Sequence, residues 1–89
     1  MPLVRIPPPY RGPTGGEGQI QVEGRTVGDC LDAVDARYPG FASQVFDADR
    51  TVHRFVRFFV NGDAIERSAL GYPVGEEDEV EVLAAIAGG

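Results

Sequence analysis

Hydrophobic residues alternate with polar ones near the start of the chain, and this spacing predicts two short strands. In "LVRI", Val4 and Ile6 share one face, and in "QIQV", Ile20 and Val22 do the same. A two-residue repeat of this kind is typical of a strand that is buried on one side. The intervening "PPPYRGPTGGEG" is too rich in proline and glycine to be a regular element. We therefore predict an antiparallel hairpin with a long connecting loop.

A helical repeat follows in "RTVGDCLDAVDARYPG". Its apolar residues fall at the i, i+3, i+4 and i+7 positions of one helix face, namely Val27, Cys30, Leu31, Val34 and Tyr38. Thr26 is a candidate N-cap, and Asp29, three residues later, completes an approximate capping box. The helix is expected to end at Pro39 and Gly40. A short further turn in "FASQVF" would add aromatic side chains to the core.

The second half of the chain returns to the two-residue repeat. In "HRFVRFFVNGDAIE", Val56, Phe58 and Val60 share one face, while Phe55, Arg57 and Phe59 share the other. The Asn-Gly pair between two extended runs predicts a tight hairpin turn. "RSALGYPV" is predicted as a loop, "GEEDE" as an acidic turn and "EVEVLA" as the last strand. In that strand, Val80 and Val82 would face inward, and Glu81 and Leu83 outward.

This order of elements predicts the fold class. Strand, strand, helix, strand, short strand and strand form an α+β domain in which one amphipathic helix must cover one face of the sheet. We predict a β-grasp fold, with a mixed sheet of about five strands covered on one face by one main helix. The first and last strands would lie side by side at the centre. Residues 1–89 form a single predicted domain, with residues 84–89 as a flexible C-terminal tail.

One face of the predicted sheet has no helix to cover it. Phe55 and Phe59 point to that face by alternation, and Leu83 and Leu3 are expected there as well. Exposed aromatic and aliphatic side chains on one face indicate a partner surface. The alternatives are that the proline loop or "RSALGYPV" folds over these residues, or that they pair in a homodimer.

Composition restricts the class of protein further. The net charge is −6, and all 8 basic residues are arginine. An acidic domain lacks the basic surface that phosphate contacts need, so we expect no nucleic-acid partner and favour a basic protein surface. No apolar run reaches the roughly 18 residues of a membrane span, and the N-terminus does not resemble a signal peptide. The single cysteine favours a reducing compartment, so we expect a cytoplasmic protein.

The side chains that could carry chemistry do not form an active site. Cys30 falls on the core face of the helix, and His53 is predicted at the surface where a strand begins. Neither has the partners that a nucleophile or a metal site would require. An acidic run is formed by Glu76, Glu77, Asp78, Glu79 and Glu81. It lacks the ligand spacing of a calcium loop, and is either a solvated turn or a docking point for a basic partner. We therefore predict no enzyme activity, no bound metal and no permanent cofactor.

The remaining feature is the C-terminal "LAAIAGG", which ends in Gly88 and Gly89. Six residues beyond Leu83 can extend to roughly 20 Å, and glycine allows close approach where a Cβ would clash. This segment could enter a narrow channel and present the Gly89 carboxylate inside the active site of another protein. A carboxylate is a poor electrophile, so it would have to be activated with a leaving group such as AMP.

The sequence resembles the ubiquitin-like sulfur carrier proteins of the ThiS and MoaD type, and especially their CysO-like actinobacterial members. The matching segments are "RGPTGG", "VEGRTVGDCLDAVDARYPGF", "HRFVRFFVNGD", "DEVEVL" and the terminal "AIAGG". Two features depart from the family pattern. Ala84 stands where the family often has proline, and Glu76-Glu77-Asp78 replaces its usual Asp-Gly-Asp turn.

The resemblance implies a mechanism in which this chain is a co-substrate. A ubiquitin-activating-type enzyme, using ATP and magnesium, would adenylate Gly89, and sulfide or a persulfide would displace AMP to leave a thiocarboxylate. A biosynthetic enzyme would accept the sulfur for cysteine, thiamin, molybdopterin or a sulfur-containing secondary metabolite. Gly88 would share the channel with Gly89, and the chain would be a monomer when free. The residues expected to bind partners are Leu83, Phe59, Phe55, Ala87 and Ile86.

Two other functions fit the same sequence. The chain could be a protein modifier that is conjugated to other proteins through Gly89 by way of the same adenylate. It could also be a β-grasp binding module with an inert tail.

Overall fold

The computed structural model describes residues 1–85 and confirms the predicted architecture. Within this range one sheet has five strands in the order β2-β1-β5-β3-β4. Their bounds are Leu3–Arg5 for β1, Gln19–Gln21 for β2, Val56–Val60 for β3, Asp63–Ile65 for β4 and Glu79–Ala84 for β5. The main helix, α1, spans Val27–Arg37, and a single further helical turn, α2, spans Ala42–Val45.

The centre of the sheet is formed by the first and last strands, as predicted. β1 and β5 run parallel, with Val4 opposite Val80. β1 is antiparallel to β2, and β3 is antiparallel to both β4 and β5. This mixed sheet is the pattern expected of a β-grasp fold. β1 pairs only with the first half of β5, up to Glu81, so the C-terminal end of β5 pairs with β3.

The start of α1 is fixed by the residues that the sequence indicates. The Thr26 side chain accepts a hydrogen bond of 3.0 Å from the amide of Asp29. The Asp29 carboxylate accepts a bond of 3.3 Å from the amide of Arg25 rather than from that of Thr26. The capping box is therefore displaced by one residue from its usual form, although it still anchors the segment that enters the helix.

The core lies between α1 and one face of the sheet. The apolar face of the helix is buried through Val27, Cys30, Leu31 and Val34, together with the inward residues of β1, β2, β3 and β5. Ile65 of β4 is partly buried and also packs against this core. Phe41, Val45 and Phe46, which flank or belong to α2, close one side of this core. Every residue that alternation placed inward on β1, β2, β3 and β5 is buried.

The Asn-Gly turn joins β3 and β4 and also holds the start of β5. Asn61 and Gly62 both have positive φ angles, of 50° and 86°, which matches the tight turn predicted for this pair. The Asn61 side chain donates to Asp78 at 2.9 Å and accepts from the amide of Glu79 at 2.9 Å. The Asp78 carboxylate also accepts from the amide of Gly75 at 2.7 Å. These two bonds, first that from Asn61, lower the pKa of Asp78 from its usual value.

Candidate functional site

The chain is held in the sheet up to Ala85, the last residue that the structure describes. Ala84, at the end of β5, pairs with Val56 of β3. The amide of Ala85 then donates a hydrogen bond of 2.6 Å to the carbonyl oxygen of Phe55. The predicted tail, residues 84–89, therefore overlaps the sheet at its first residue, because the ladder with β3 continues to that point.

The remaining predicted site residues, Ile86, Ala87, Gly88 and Gly89, lie outside the described part of the chain. What the structure defines is the position from which they start. That position is the end of a strand that pairs with β1 up to Glu81 and with β3 up to Ala84.

Leu83 lies on the uncovered face beside this exit. It is opposite Arg57 of β3, and Phe59 is two residues further along the same face. Phe55 directly precedes β3. The side chains of Leu83 and Phe55 are exposed, at 37% and 39%, while Phe59 is half-buried. We refer to Leu83, Phe55 and Phe59 as the Leu83 patch.

The rest of the uncovered face is more polar than predicted. Phe59 lies opposite Glu81 in the register of β3 and β5, and Arg5 of β1 forms an ion pair with Glu79. Leu3 is half-buried in the strand that carries Arg5. The surface is therefore a small apolar patch with charged neighbours, because two of the three outward positions of β5 carry glutamate.

The two loops that could have covered this face do not close over the Leu83 patch. The carbonyl of Leu70 accepts a bond of 2.8 Å from Gly28, and that of Tyr72 accepts one of 3.0 Å from Val27, so this loop packs on the start of α1. The proline loop instead contributes Pro7 and Pro8 to the wall of a groove of about 590 Å³ that Leu83 also lines.

Alternation within single strands could not reveal this wall. Its position follows from the parallel pairing of β1 and β5, which brings the residues after Arg5 beside those after Glu81. The long-range topology was predictable, and extending its register by two residues would have placed Pro7 next to Leu83.

The single cysteine is a core residue, as predicted. Cys30 is fully buried, and this burial, followed by the nearby charge of Asp29, raises the pKa of its thiol to about 11. A reactive thiolate requires a lowered pKa and access to solvent, so Cys30 is not suited to chemistry. His53 is exposed at the surface.

Residues 1–85 could also have held a metal site or a membrane-spanning helix. No group of three or more histidine, cysteine or carboxylate residues is placed to hold a metal ion in this range. The same range contains no helix long and apolar enough to cross a membrane. Among the described residues, the candidate site is the Leu83 patch at the end of β5.

The fold and this exit position define the class of ubiquitin-like β-grasp proteins. Residues 4–89 match the ThiS family, and the chain belongs to that family. The proteins to which this chain is similar include small carrier and modifier proteins. One of them is the small archaeal modifier protein 1 of Haloferax volcanii, which is 33% identical over 72 residues, covering 80% of this chain and 79% of the relative.

Solved structures of similar proteins support the same conclusion. A chain of the Amycolatopsis orientalis BexX/CysO complex is 31% identical with a TM-score of 0.89, and the match covers 100% of both chains. The CysO protein of Mycobacterium tuberculosis is 28% identical with a TM-score of 0.87, over 97% of this chain and 100% of that one. The resemblance to CysO-like members that the sequence motifs indicated is thereby confirmed.

Proposed function

We propose that this protein carries sulfur as a thiocarboxylate on Gly89, the last residue of the sequence. The observation that carries the proposal is the path of β5, a central strand that leads directly into "AIAGG" and is held at both Ala84 and Ala85. A rigid strand followed by mostly small residues can present a carboxylate from a fixed starting point on the domain. Membership of the ThiS family supports this use of the C-terminus.

The chemistry requires an enzyme that activates the carboxylate. Attack of the Gly89 carboxylate on the α-phosphate of ATP, with magnesium, would release pyrophosphate and form an acyl-adenylate. Sulfide would then attack the carbonyl carbon, and AMP would leave with the bonding electrons of the C–O bond. The product is the thiocarboxylate, which a biosynthetic enzyme would accept as its sulfur donor. The carrier itself supplies the carboxylate and the surface that docks.

The Leu83 patch is the docking surface in this proposal. Leu83 and Phe55 are apolar and exposed, and both lie within two residues of the hydrogen bond between Ala85 and Phe55. An enzyme that admits the C-terminal segment must contact this surface, because the segment starts there. The complex reported for the Amycolatopsis CysO relative supports the expectation of a stable partner.

The test is intact-mass analysis after incubation with the adenylating enzyme of the same organism, ATP, magnesium and sulfide. We expect one oxygen-to-sulfur exchange in the full chain and none in a variant lacking Gly89. The full chain and the variant lacking Gly89 should have the same circular dichroism spectrum, which shows that both are folded. A full chain that stays unmodified would contradict the proposal, as would a truncated variant that is modified equally.

A second function is favoured by the similarity to a small archaeal modifier protein. In that case the Gly89 adenylate would pass to an amine of a target protein and form an amide. Immunoblots of cell lysate should then show adducts of higher mass that survive reductant. The chain has no lysine, so each adduct should carry one copy rather than a polymer linked through lysine side chains.

The third possibility, a binding module with an inert C-terminus, predicts a different result. Removal of residues 87–89 would then leave the cellular function intact. Sedimentation of the free protein is a useful companion measurement, because we propose a monomer that uses the Leu83 patch for enzymes. A stable dimer that is lost in a Leu83→Arg variant would instead favour a permanent interface.

A further inference from the structure

Positive charge is concentrated on one part of this acidic protein. Four of its 8 arginines, Arg50, Arg54, Arg57 and Arg67, line two grooves beside β4. The grooves have volumes of about 540 and 420 Å³ and share Glu66 and Arg67 in their linings. Among the described residues that line these two grooves, Glu66 is the one with a carboxylate. We refer to these four arginines as the arginine surface.

Most of this positive charge has no carboxylate partner within residues 1–85. Arg50 pairs with Asp32 at 2.5 Å and lies over the Phe46 ring. Arg57 donates to two backbone carbonyls, at 2.7 and 3.0 Å. No ion pair in the described part of the chain includes Arg54, Arg57 or Arg67. Three guanidinium groups are therefore available to pair with carboxylates from outside the molecule.

The arginine surface is continuous with the Leu83 patch. The Arg54 guanidinium lies over the Phe55 ring, 4.8 Å from its centroid, and the Phe55 carbonyl accepts the bond from Ala85. Arg57 lies opposite Leu83 in the register of β3 and β5. A protein that receives the C-terminal segment would therefore bring its own surface close to Arg54 and Arg57.

We propose that the arginine surface binds an acidic segment of the activating enzyme, rich in aspartate and glutamate, beside the channel that admits the C-terminus. This rests on the proposed function. The net charge of −6 favours basic partner surfaces elsewhere on the molecule, but the local charge here has the opposite sign. Val52 and Leu70 contribute an apolar part to the larger groove, which suits the methylene groups of glutamate side chains.

A nucleic acid fits these observations less well. A phosphate backbone carries a long, dense run of negative charge, and beyond the arginines it would meet an acidic protein. A short acidic segment meets only the local positive charge, since charges further away than about 8–10 Å are largely screened at physiological salt. Complementary charges of this kind mainly increase the association rate and fix the orientation of the complex.

Two double variants with the same change in net charge test the proposal. Arg54→Gln/Arg67→Gln removes charge from the arginine surface, and Arg25→Gln/Arg37→Gln removes it from residues outside both grooves. We expect the first to raise the Kd for the activating enzyme by about tenfold or more, mainly through slower association. The rate of Gly89 modification at saturating carrier should change less than twofold. The control pair should leave Kd within about twofold, and circular dichroism should show both variants folded.

The results separate the two proposals. If the wild-type chain is never modified, the sulfur-carrier function fails. If it is modified and both double variants bind equally well, the arginine surface has no role and the present inference is overturned. Arg54→Lys/Arg67→Lys should recover most of the affinity, because charge rather than a planar guanidinium is required.

A direct probe needs no enzyme. In an amide NMR titration, hexaglutamate should shift the signals of Arg54, Arg67 and Val52 in the wild type but not in Arg54→Gln/Arg67→Gln. Hexalysine should not shift these three. Larger shifts at the same amides with a single-stranded oligonucleotide of equal charge would overturn the choice of an acidic protein segment, as would an absence of shifts with hexaglutamate.

Discussion

The amide nitrogen of Ala85 is 2.6 Å from the carbonyl oxygen of Phe55. The residue that follows β5 is therefore still hydrogen-bonded to the residue that precedes β3. One residue earlier, Ala84 pairs with Val56. This pair of contacts fixes both the position and the direction of the chain as it enters "IAGG". The same Phe55 contributes an exposed ring to the Leu83 patch, so the exit point and the proposed docking surface share a residue.

Replacing Ala85 with proline should loosen this exit point without disrupting the fold. Proline has no amide hydrogen, so the bond to Phe55 is lost, while the extended conformation of Ala84 remains compatible with a following proline. We expect a loss of about 1 kcal/mol in the free energy of unfolding, measured by urea denaturation. Modification of Gly89 by the activating enzyme should slow.

Ala85→Gly is the matched control, because it keeps the amide hydrogen. Its modification rate should be closer to that of the wild type than to that of Ala85→Pro. Equal rates for the proline and glycine variants would mean that the hydrogen bond does not contribute to presenting the C-terminus.

Leu83→Ser should weaken partner binding and also lower stability. The side chain is 37% exposed, so the larger part of it is covered within the domain, and its loss should lower the free energy of unfolding by about 1 kcal/mol. A partner would cover the exposed part, and truncation of an interface anchor can cost about 2 kcal/mol of binding free energy. We expect the Kd for the activating enzyme to rise by about tenfold. Isothermal titration calorimetry would measure it.

Tyr72→Ser provides the comparison for Leu83→Ser. Tyr72 is similarly exposed, at 40%, but its loop packs on the start of α1 rather than at the end of β5. Its Kd should remain near that of the wild type. If both variants weaken binding equally, the interface extends well beyond the Leu83 patch.

The predictable parts of the fold were those in which a local pattern and the tertiary structure agree. The alternation of Val56, Phe58 and Val60 predicts the buried face because one helix covers that side of the sheet. Thr26 predicts the start of α1 because a side chain can cap a helix from its own neighbourhood in sequence. The Asn61-Gly62 pair predicts its turn because few other pairs adopt two positive φ angles.

The site was predictable only in part, because its remaining features join residues that are distant in sequence. The bond between Ala85 and Phe55, and the approach of Pro7 to Leu83, depend on which strands are neighbours and on their exact register. The distribution of charge over the surface was not predictable from the sequence for the same reason. The total of −6 gives no indication that Arg54, Arg57 and Arg67 gather beside one edge strand.

Cys30 should resist alkylation in the folded protein. It is fully buried, and its thiol has a pKa raised from 9.0 to about 11, so thiolate is scarce at neutral pH. Iodoacetamide labelling followed by intact mass should give modification only at the rate of unfolding. Rapid labelling without denaturant would contradict the assignment of Cys30 to the core.

The same shift predicts a loss of stability in alkaline solution. Below pH 9 the thiol is neutral in both states, so the contribution of Cys30 is fully present. Between about pH 9 and pH 11 the unfolded chain ionises while the folded chain does not, and this favours unfolding. Cys30→Ala should show a smaller decrease in Tm over that interval than the wild type, although its Tm at pH 7 should be lower because a small cavity forms.

Asp78→Asn tests the clamp between the Asn61 turn and the start of β5. The two carboxylate oxygens accept from different donors, Asn61 and Gly75, and an amide side chain has one acceptor oxygen where the carboxylate has two. The variant should therefore melt at a lower temperature than the wild type at pH 7. Glu76→Gln, an exposed acid in the same turn, removes the same charge and should have little effect.

The contribution of Asp78 to stability depends on pH. The hydrogen bonds lower the folded-state pKa of Asp78 below its usual 3.8, so their contribution is complete above that value and is lost as the pH falls through the lower one. The difference in Tm between the wild type and Asp78→Asn should therefore be constant from neutral pH to about pH 5 and should narrow in stronger acid. Protonated Asp78, like asparagine, lacks a second full acceptor oxygen, so the two proteins should become similar in strong acid. A difference in Tm that persists unchanged at pH 2 would mean that Asp78→Asn acts through a backbone change in the turn rather than through loss of the carboxylate.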